Sequence, residues 1–299
     1  MSTITRLRRI VPVVTIVAGL AAVSIGAATG QGADPFVAGG PSTRAVPLAA
    51  TQVDRARALG RQLAAALGLP GVSQRVERLD DRFEHRTYDE VTAFDASNRA
   101  VAIARFETDG SVAMAVVLGW QPGRGAPVDR ASAEQRGRSF VRAAGLVADG
   151  QPEVRPTGSG GWMVSWSRVA AGVPIRGDGI RVSLWADGTF HGLTRTERTL
   201  AALPDRQISA GAARLAAANW ANARFPATAG GMHVASVERA WVAPNGMFSA
   251  NGLDAPAETL RLAWVVRFET TGPLVERLRS VEVWLDAGDT TVLGGDVIE

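Results

Sequence analysis

The chain has 299 residues, 46% hydrophobic and 20% charged, with no cysteine and a formal net charge of +3, which fits one large domain or a few small ones and excludes a wholly disordered chain. Without cysteine there is no disulfide, thiolate zinc site, iron–sulfur cluster, cysteine nucleophile or cysteine-linked lipid. All 32 basic residues are Arg, the excess lies in Arg6, Arg8 and Arg9, and no basic cluster is interleaved with aromatics, so no nucleic acid is expected as a partner.

Those three arginines precede the apolar run Ile10 to Ala28, which small residues follow up to Gly30. This is the order of a secretory signal, and the run is also long enough for one membrane span. Residues 1–30 are therefore expected to be a signal peptide cut near Ala28 to Gly30, or an uncleaved N-terminal anchor to the membrane. Either way the rest of the chain is expected to be extracytoplasmic, secreted or held at the cytoplasmic membrane. Residues 31–50, with Gly39, Gly40, Pro41 and Pro47 and no periodicity, read as a flexible linker.

From Thr51 a pattern recurs. Thr51 is expected to cap a helix whose apolar face is Ala56, Leu59, Leu63, Ala66 and Leu67, stopped by Gly68, Pro70 and Gly71. Strands are expected over Arg75 to Asp81, Arg86 to Phe94, Arg99 to Glu107 and Ser111 to Leu118, the last two joined at Asp109-Gly110. A second helix starts at Ser132, which forms a capping-box pattern with Gln135. Strands follow at Trp162 to Ser167, Val173 to Ile175 and Ile180 to Leu184, and Asp187-Gly188 turns into another at Thr189 to Leu193. A third helix starts at Ser209, and strands follow at Val234 to Val242, Leu260 to Phe268, Leu278 to Leu285 and Thr290 to Leu293.

The spacing of the helix starts predicts three tandem units, over residues 51–127, 128–204 and 205–299. Each is expected to be one helix packed on an antiparallel sheet, an α+β layer arrangement.

The segment Arg261 to Phe268 followed by Val281 to Gly288, with its Asp286-Ala-Gly288 turn, resembles the closing hairpin of a PepSY domain, and the helix from Ser209 resembles that family's opening helix. The phrase Gly172-Val-Pro-Ile, with Ile180 to Gly188, is similar to the related propeptide module of thermolysin-like metalloproteases. The resemblance implies a PepSY- or cystatin-like layer arrangement. It also implies a non-catalytic extracytoplasmic module that binds or regulates an envelope peptidase or cell-wall hydrolase, with no catalytic residue to carry over. Asp289 after Gly288 and the long Pro244 to Pro256 stretch depart from the family pattern.

Independent signs of chemistry are few. His85, His191 and His233 are isolated, and no His-Glu-x-x-His, Gly-x-Ser-x-Gly or Walker-type stretch occurs. Gly158-Ser159-Gly160-Gly161 reads as a turn, and Gly177-Asp178-Gly179 lacks the third glycine of a dinucleotide loop. The acids Asp80, Asp81, Glu84, Asp89 and Glu90 surround His85 and Tyr88. They read as a solvated hairpin, with a hydrolase using His85 beside Asp81 or Glu84, or a calcium site here or at Asp286, Asp289 and Asp296, as the competing possibilities. No catalytic residue, metal or cofactor is expected. Of the eight Trp, Trp162, Trp166 and Trp264 share faces with aliphatic residues and read as core. Trp185 and Trp284 precede equivalent hairpin turns beside Arg181 and Glu282, and are the candidates for an exposed binding surface. Addition of a peptide to an open sheet edge is a further binding mode. The alternative function is structural or assembly work in the envelope.

Overall fold

A computed structural model of the chain describes residues 43–81, 86–119, 125–158, 160–225, 231–245, 259–270 and 280–298. The expected signal or anchor at residues 1–30, His85, Glu84 and Trp120 lie outside the described residues.

The elements in chain order are β1 (Thr43–Val46), α1 (Ala50–Leu67), β2 (Ser73–Asp81), β3 (Arg86–Phe94), β4 (Ala100–Glu107) and β5 (Val112–Val117). Then come α2 (Arg130–Ala143), β6 (Glu153–Pro156), β7 (Trp162–Ala170), β8 (Val173–Leu184), β9 (Phe190–Thr196) and β10 (Thr199–Leu200). The chain closes with α3 (Ala210–Arg224), β11 (Met232–Val242), β12 (Thr259–Thr270), β13 (Ser280–Asp286) and β14 (Val292–Ile298).

Three separate helix-plus-sheet units were expected; the structure corrects this. Among the described residues the strands form one mixed 14-stranded sheet whose main path runs β1-β2-β3-β4-β5-β9-β8-β11-β12-β13-β14. The physical reason lies at two joints. β5 has a free edge after its hairpin with β4, and β9 fills it through Met114–Thr194, Ala115–Leu193 and Val116–Gly192. β8 in turn meets β11 in parallel at Ile175–Trp241. Unpaired edges are costly when buried, so the hairpins pair with one another instead of closing separately.

One row across the ladder shows the continuity. Val76, Val91, Ala104, Ala115, Leu193, Val182, Val164 and Val154 are successive cross-strand partners from β2 to β6. All belong to or pack on one core that also receives Ala56 and Leu63 of α1 and Val141 of α2. A fully buried Val or Leu in such a row contributes about 1.5–3 kcal/mol. A second core joins Ala213, Ala217 and Ala221 of α3 to Val266, Phe268, Val281 and Val283.

The helices meet the sheet through small residues. Gly60 of α1 lies over Val91, and a Cβ there would stand 2.7 Å from Val91 Cγ1; at Gly137 of α2 it would stand 2.9 Å from Val164 Cγ1. Capping is partly displaced from expectation. Ser209 caps α3 by accepting from Ala212 N at 3.2 Å, but Ala49 and Asp129, not Thr51 and Ser132, precede α1 and α2. Asp129 accepts from Ser132 N at 2.8 Å. An Asp earlier in the chain can satisfy the same orphan amide, which shifts the start by a turn.

The α2 and α3 entries use one device twice. Trp162 Nε1 donates to Val128 O at 3.2 Å, and Trp264 Nε1 donates to Ile208 O at 3.1 Å. Val128 and Ile208 in turn donate their own amides to Ala186 O and Ala287 O in the two hairpin turns, at 2.9 and 2.8 Å.

Candidate functional site

Side chains alternate across a strand, so the row beside the core row points away from the helices. It reads Glu77, Glu90, Arg105, Met114, Thr194, Arg181, Ser165 and Glu153 from β2 to β6. Toward the first strands its charges are paired: Arg105 Nε donates to Glu90 Oε2 at 2.8 Å and its guanidinium lies over the Tyr88 ring at 5.8 Å. Arg181 differs. It stands on β8 between Ile180 and Val182, both in the core, with Ser165 and Thr194 as its cross-strand partners. It is half-buried, and among the described residues it has no hydrogen-bond or ion-pair partner. Burial first, then the nearby charges of Arg155 and Arg198, hold its guanidinium below the usual value, against the pull of Asp178.

The floor around Arg181 is small and hydroxylated. Ser183 and Gly179 flank it along β8, and Gly192 and Thr196 lie on β9 opposite those two. Arg155 and Glu153 stand exposed on β6 at the margin.

Beneath this patch the sheet turns. The Gly177-Asp178-Gly179 stretch lies inside β8, with φ +80° and +128° at the glycines, and a side chain at Gly179 would run into the Trp166 carbonyl. Before the bend, Ile175 pairs with β11; after it, Gly179 to Leu184 pair with β9. Asp178 is fully buried at its side chain and holds the bend. It accepts from Arg198 Nε and Arg198 N, each at 2.7 Å, and from Arg168 Nη1 at 3.0 Å. Arg176, just before the bend, donates to Glu238 Oε1 at 2.6 Å and to Glu282, tying β8 to β11 and β13.

A polar pocket of about 310 Å³ opens at the β5–β9 joint, lined by Arg86, Glu107, Asp109, Ser111, Arg195 and Glu197 among others. Its charges close on one another: Arg86 Nη1 to Glu107 Oε1 at 2.9 Å, and Arg195 Nη2 to Glu197 Oε2 at 2.5 Å. Ser111 Oγ donates to Asp109 Oδ1 at 2.7 Å. That carboxyl is held below its usual range, first by the Ser111 amide and then by the Ser111 hydroxyl. A lowered carboxyl is a poor proton acceptor, so this pair serves as the hairpin's Asx turn and not as an activated nucleophile.

The residues anticipated from sequence are dispersed. Trp185, expected at the surface, is buried at 8% exposure and stacks on His191, ring centroids 4.1 Å apart; burial holds the His191 imidazole below its usual value. Trp284 is half-buried on the side of the third sheet region away from α3, against Ala240, Val242 and Val265. The acids near the first hairpin do not converge: Asp89 binds Arg78 at 2.7 Å, while Glu90, one residue on, faces the other side and binds Arg105. Asp286 binds Arg261, Asp289 caps Thr291 N, and Asp296 pairs across from Glu282. Among the described residues no group of three His, Cys, Asp or Glu stands close enough to hold a metal ion. Nor is any described helix long and apolar enough to cross a membrane.

Sequence reasoning passed over Arg181. Its signal was present as an Arg at the polar phase of Ile180-Arg-Val-Ser-Leu184, but polar phases normally face water and find counter-charges, and only the assembled neighbours show that this one does not.

No family model matches the sequence, and no curated protein matches it. Among solved structures the chain is similar to the Bacillus megaterium YpeB C-terminal domain, at 11% sequence identity and a TM-score of 0.45, over 82% of this chain and 97% of that one.

Proposed function

We propose that this chain is a non-catalytic, extracytoplasmic binding module whose sheet face opposite α1 and α2 engages an envelope protein, a peptidase or cell-wall hydrolase. The observation that carries the reading is the contrast between two polar regions. The pocket at the β5–β9 joint has its acids and bases closed in pairs. The face around Arg181 offers an uncompensated cation on a floor of hydroxyls, which is a surface made for recognition and not for turnover. The Arg-led apolar segment of residues 1–30 and the PepSY-like phrases in the second and third helix-and-hairpin stretches support the same reading.

The test is crosslinking of the full-length protein in native membranes, followed by mass spectrometry of what co-purifies and an activity assay of that enzyme with and without added protein. A stoichiometric peptidase or wall hydrolase, slowed or activated by the purified chain, is the expected result. Recovery of bulk envelope proteins alone points to the structural role. Turnover of peptide or glycan by the purified chain itself overturns the non-catalytic reading.

A further inference from the structure

The sheet face opposite α1 and α2 has one feature that ordinary packing does not account for. An arginine that interrupts a strand and is half-buried normally acquires a counter-charge, because desolvating a guanidinium without one is costly. Arg78, Arg105, Arg168, Arg176 and Arg198 all obey this, each bound to a carboxylate. Arg181, half-buried like these five, sits without a partner among the described residues. The carboxylate nearest to it in sequence, Asp178, is consumed by Arg168 and Arg198.

We infer that Arg181 receives a carboxylate from an acidic peptide segment, laid over the β7–β8–β9 part of the face opposite α1 and α2. This deepens the binding-module reading and rests on it. The fork of a guanidinium presents two parallel N–H donors that match a carboxylate bidentately. Its nearest neighbours on that face are about 5 Å away across the strands, and they are Ser165 and Thr194. Both hydroxyls can donate to the remaining lone pairs of the bound anion. Gly179, half-buried beside Arg181, has no side chain to obstruct the approach. The charge count sets the class of anion. Arg181 and Arg155 supply two positive charges and Glu153 one negative, so the patch matches a monoanion, and a phosphate dianion would exceed it.

The experiment titrates the full-length protein, in detergent and at low ionic strength, with three probes: a capped hexaglutamate peptide, the capped hexaglutamine peptide and inorganic phosphate. Hexaglutamate is expected to bind and hexaglutamine not to. Arg181→Gln is expected to weaken hexaglutamate at least tenfold, and Arg181→Lys, which keeps the charge but loses the fork, to weaken it less. Arg214→Gln, on the exposed side of α3, is expected to change nothing. Thermal unfolding of each variant establishes that the fold persists, and Arg181→Lys carries the test if the Gln variant does not fold. Equal binding by wild type and Arg181 variants overturns the site. Arg181-dependent binding of phosphate but not of hexaglutamate overturns the carboxylate. In both cases, co-purification of a regulated envelope enzyme that persists in the Arg181 variants leaves the module reading standing, so the two failures are distinguishable.

Discussion

Replacement of Asp178 by Asn probes the bend that joins the two parts of the sheet. The carboxylate is fully buried at its side chain and accepts three hydrogen bonds, two from Arg198 and one from Arg168. Asn keeps the shape but removes the charge, and its amide nitrogen must face a donor. Breaking a buried ion pair by removing one partner costs about 3–5 kcal/mol, because the remaining cations lose their compensation. Arg168 is about a third exposed at its side chain and recovers some hydration, so the lower end, about 3 kcal/mol, is expected. In a domain of this size 1 kcal/mol moves the midpoint by about 2–4 °C, which gives a fall of about 6–12 °C. Urea and thermal unfolding followed by circular dichroism measure both quantities. Arg168→Gln in the Asp178→Asn background is expected to cost less than in wild type, because its anion is already gone. A loss under about 1 kcal/mol, or full additivity of the two substitutions, refutes the claim that Asp178 pins the bend.

Other outcomes follow from single contacts. Gly60→Ala places a methyl 2.7 Å from Val91 Cγ1; overpacking of about 1–3 kcal/mol outweighs the helix-propensity gain of about 1 kcal/mol, so stability falls, whereas in a Val91→Ala background the same change stabilises. Equilibrium unfolding of the four proteins in that cycle reads the reversal of sign. Ala171 and Gly172 turn the β7–β8 hairpin with φ +49° and +74°, a geometry that favours Asn-Gly; Ala171→Asn is expected to add about 0.5–1 kcal/mol in urea titrations. For Asp187, burial raises the carboxyl, but the Thr189 amide and hydroxyl, the Gly125 amide and Arg136 outweigh it and leave it below its usual value. A depressed carboxyl stabilises above its unfolded value and loses that contribution as pH falls through the folded one; Asp187→Ala is therefore expected to flatten the acid limb of stability below about pH 4. Asp296 has the opposite sign: burial, with Glu282 opposite, raises it despite the Val297 amide and Arg176. Its protonated form is favoured on folding, and that stability is lost as pH rises, so Asp296→Asn is expected to stabilise at pH 7 and to lose its advantage near pH 3.

The sequence by itself determined the local pieces. Period-two stripes located Arg86–Phe94 as a strand with its bounds, Asp-Gly pairs marked the hairpins at residues 109–110 and 187–188, and Ser209 marked the start of the third helix. These are decided within a few residues, by alternation, turn chemistry and capping. Alternation also assigned each side chain to one of two faces, which is why Arg181 and Val182 part company. What the tertiary structure decided was every question of partnership. Nothing local tells β5 to accept β9, or marks Gly177-Asp178-Gly179 as a bend inside a single strand, where the sequence shows two strands separated by a glycine turn. Nor does it tell Asp178 to bind Arg168 and Arg198 and leave Arg181 alone. Strand edges and buried charges are satisfied by whichever groups the fold brings near, often far along the chain, and that competition is settled by the whole molecule.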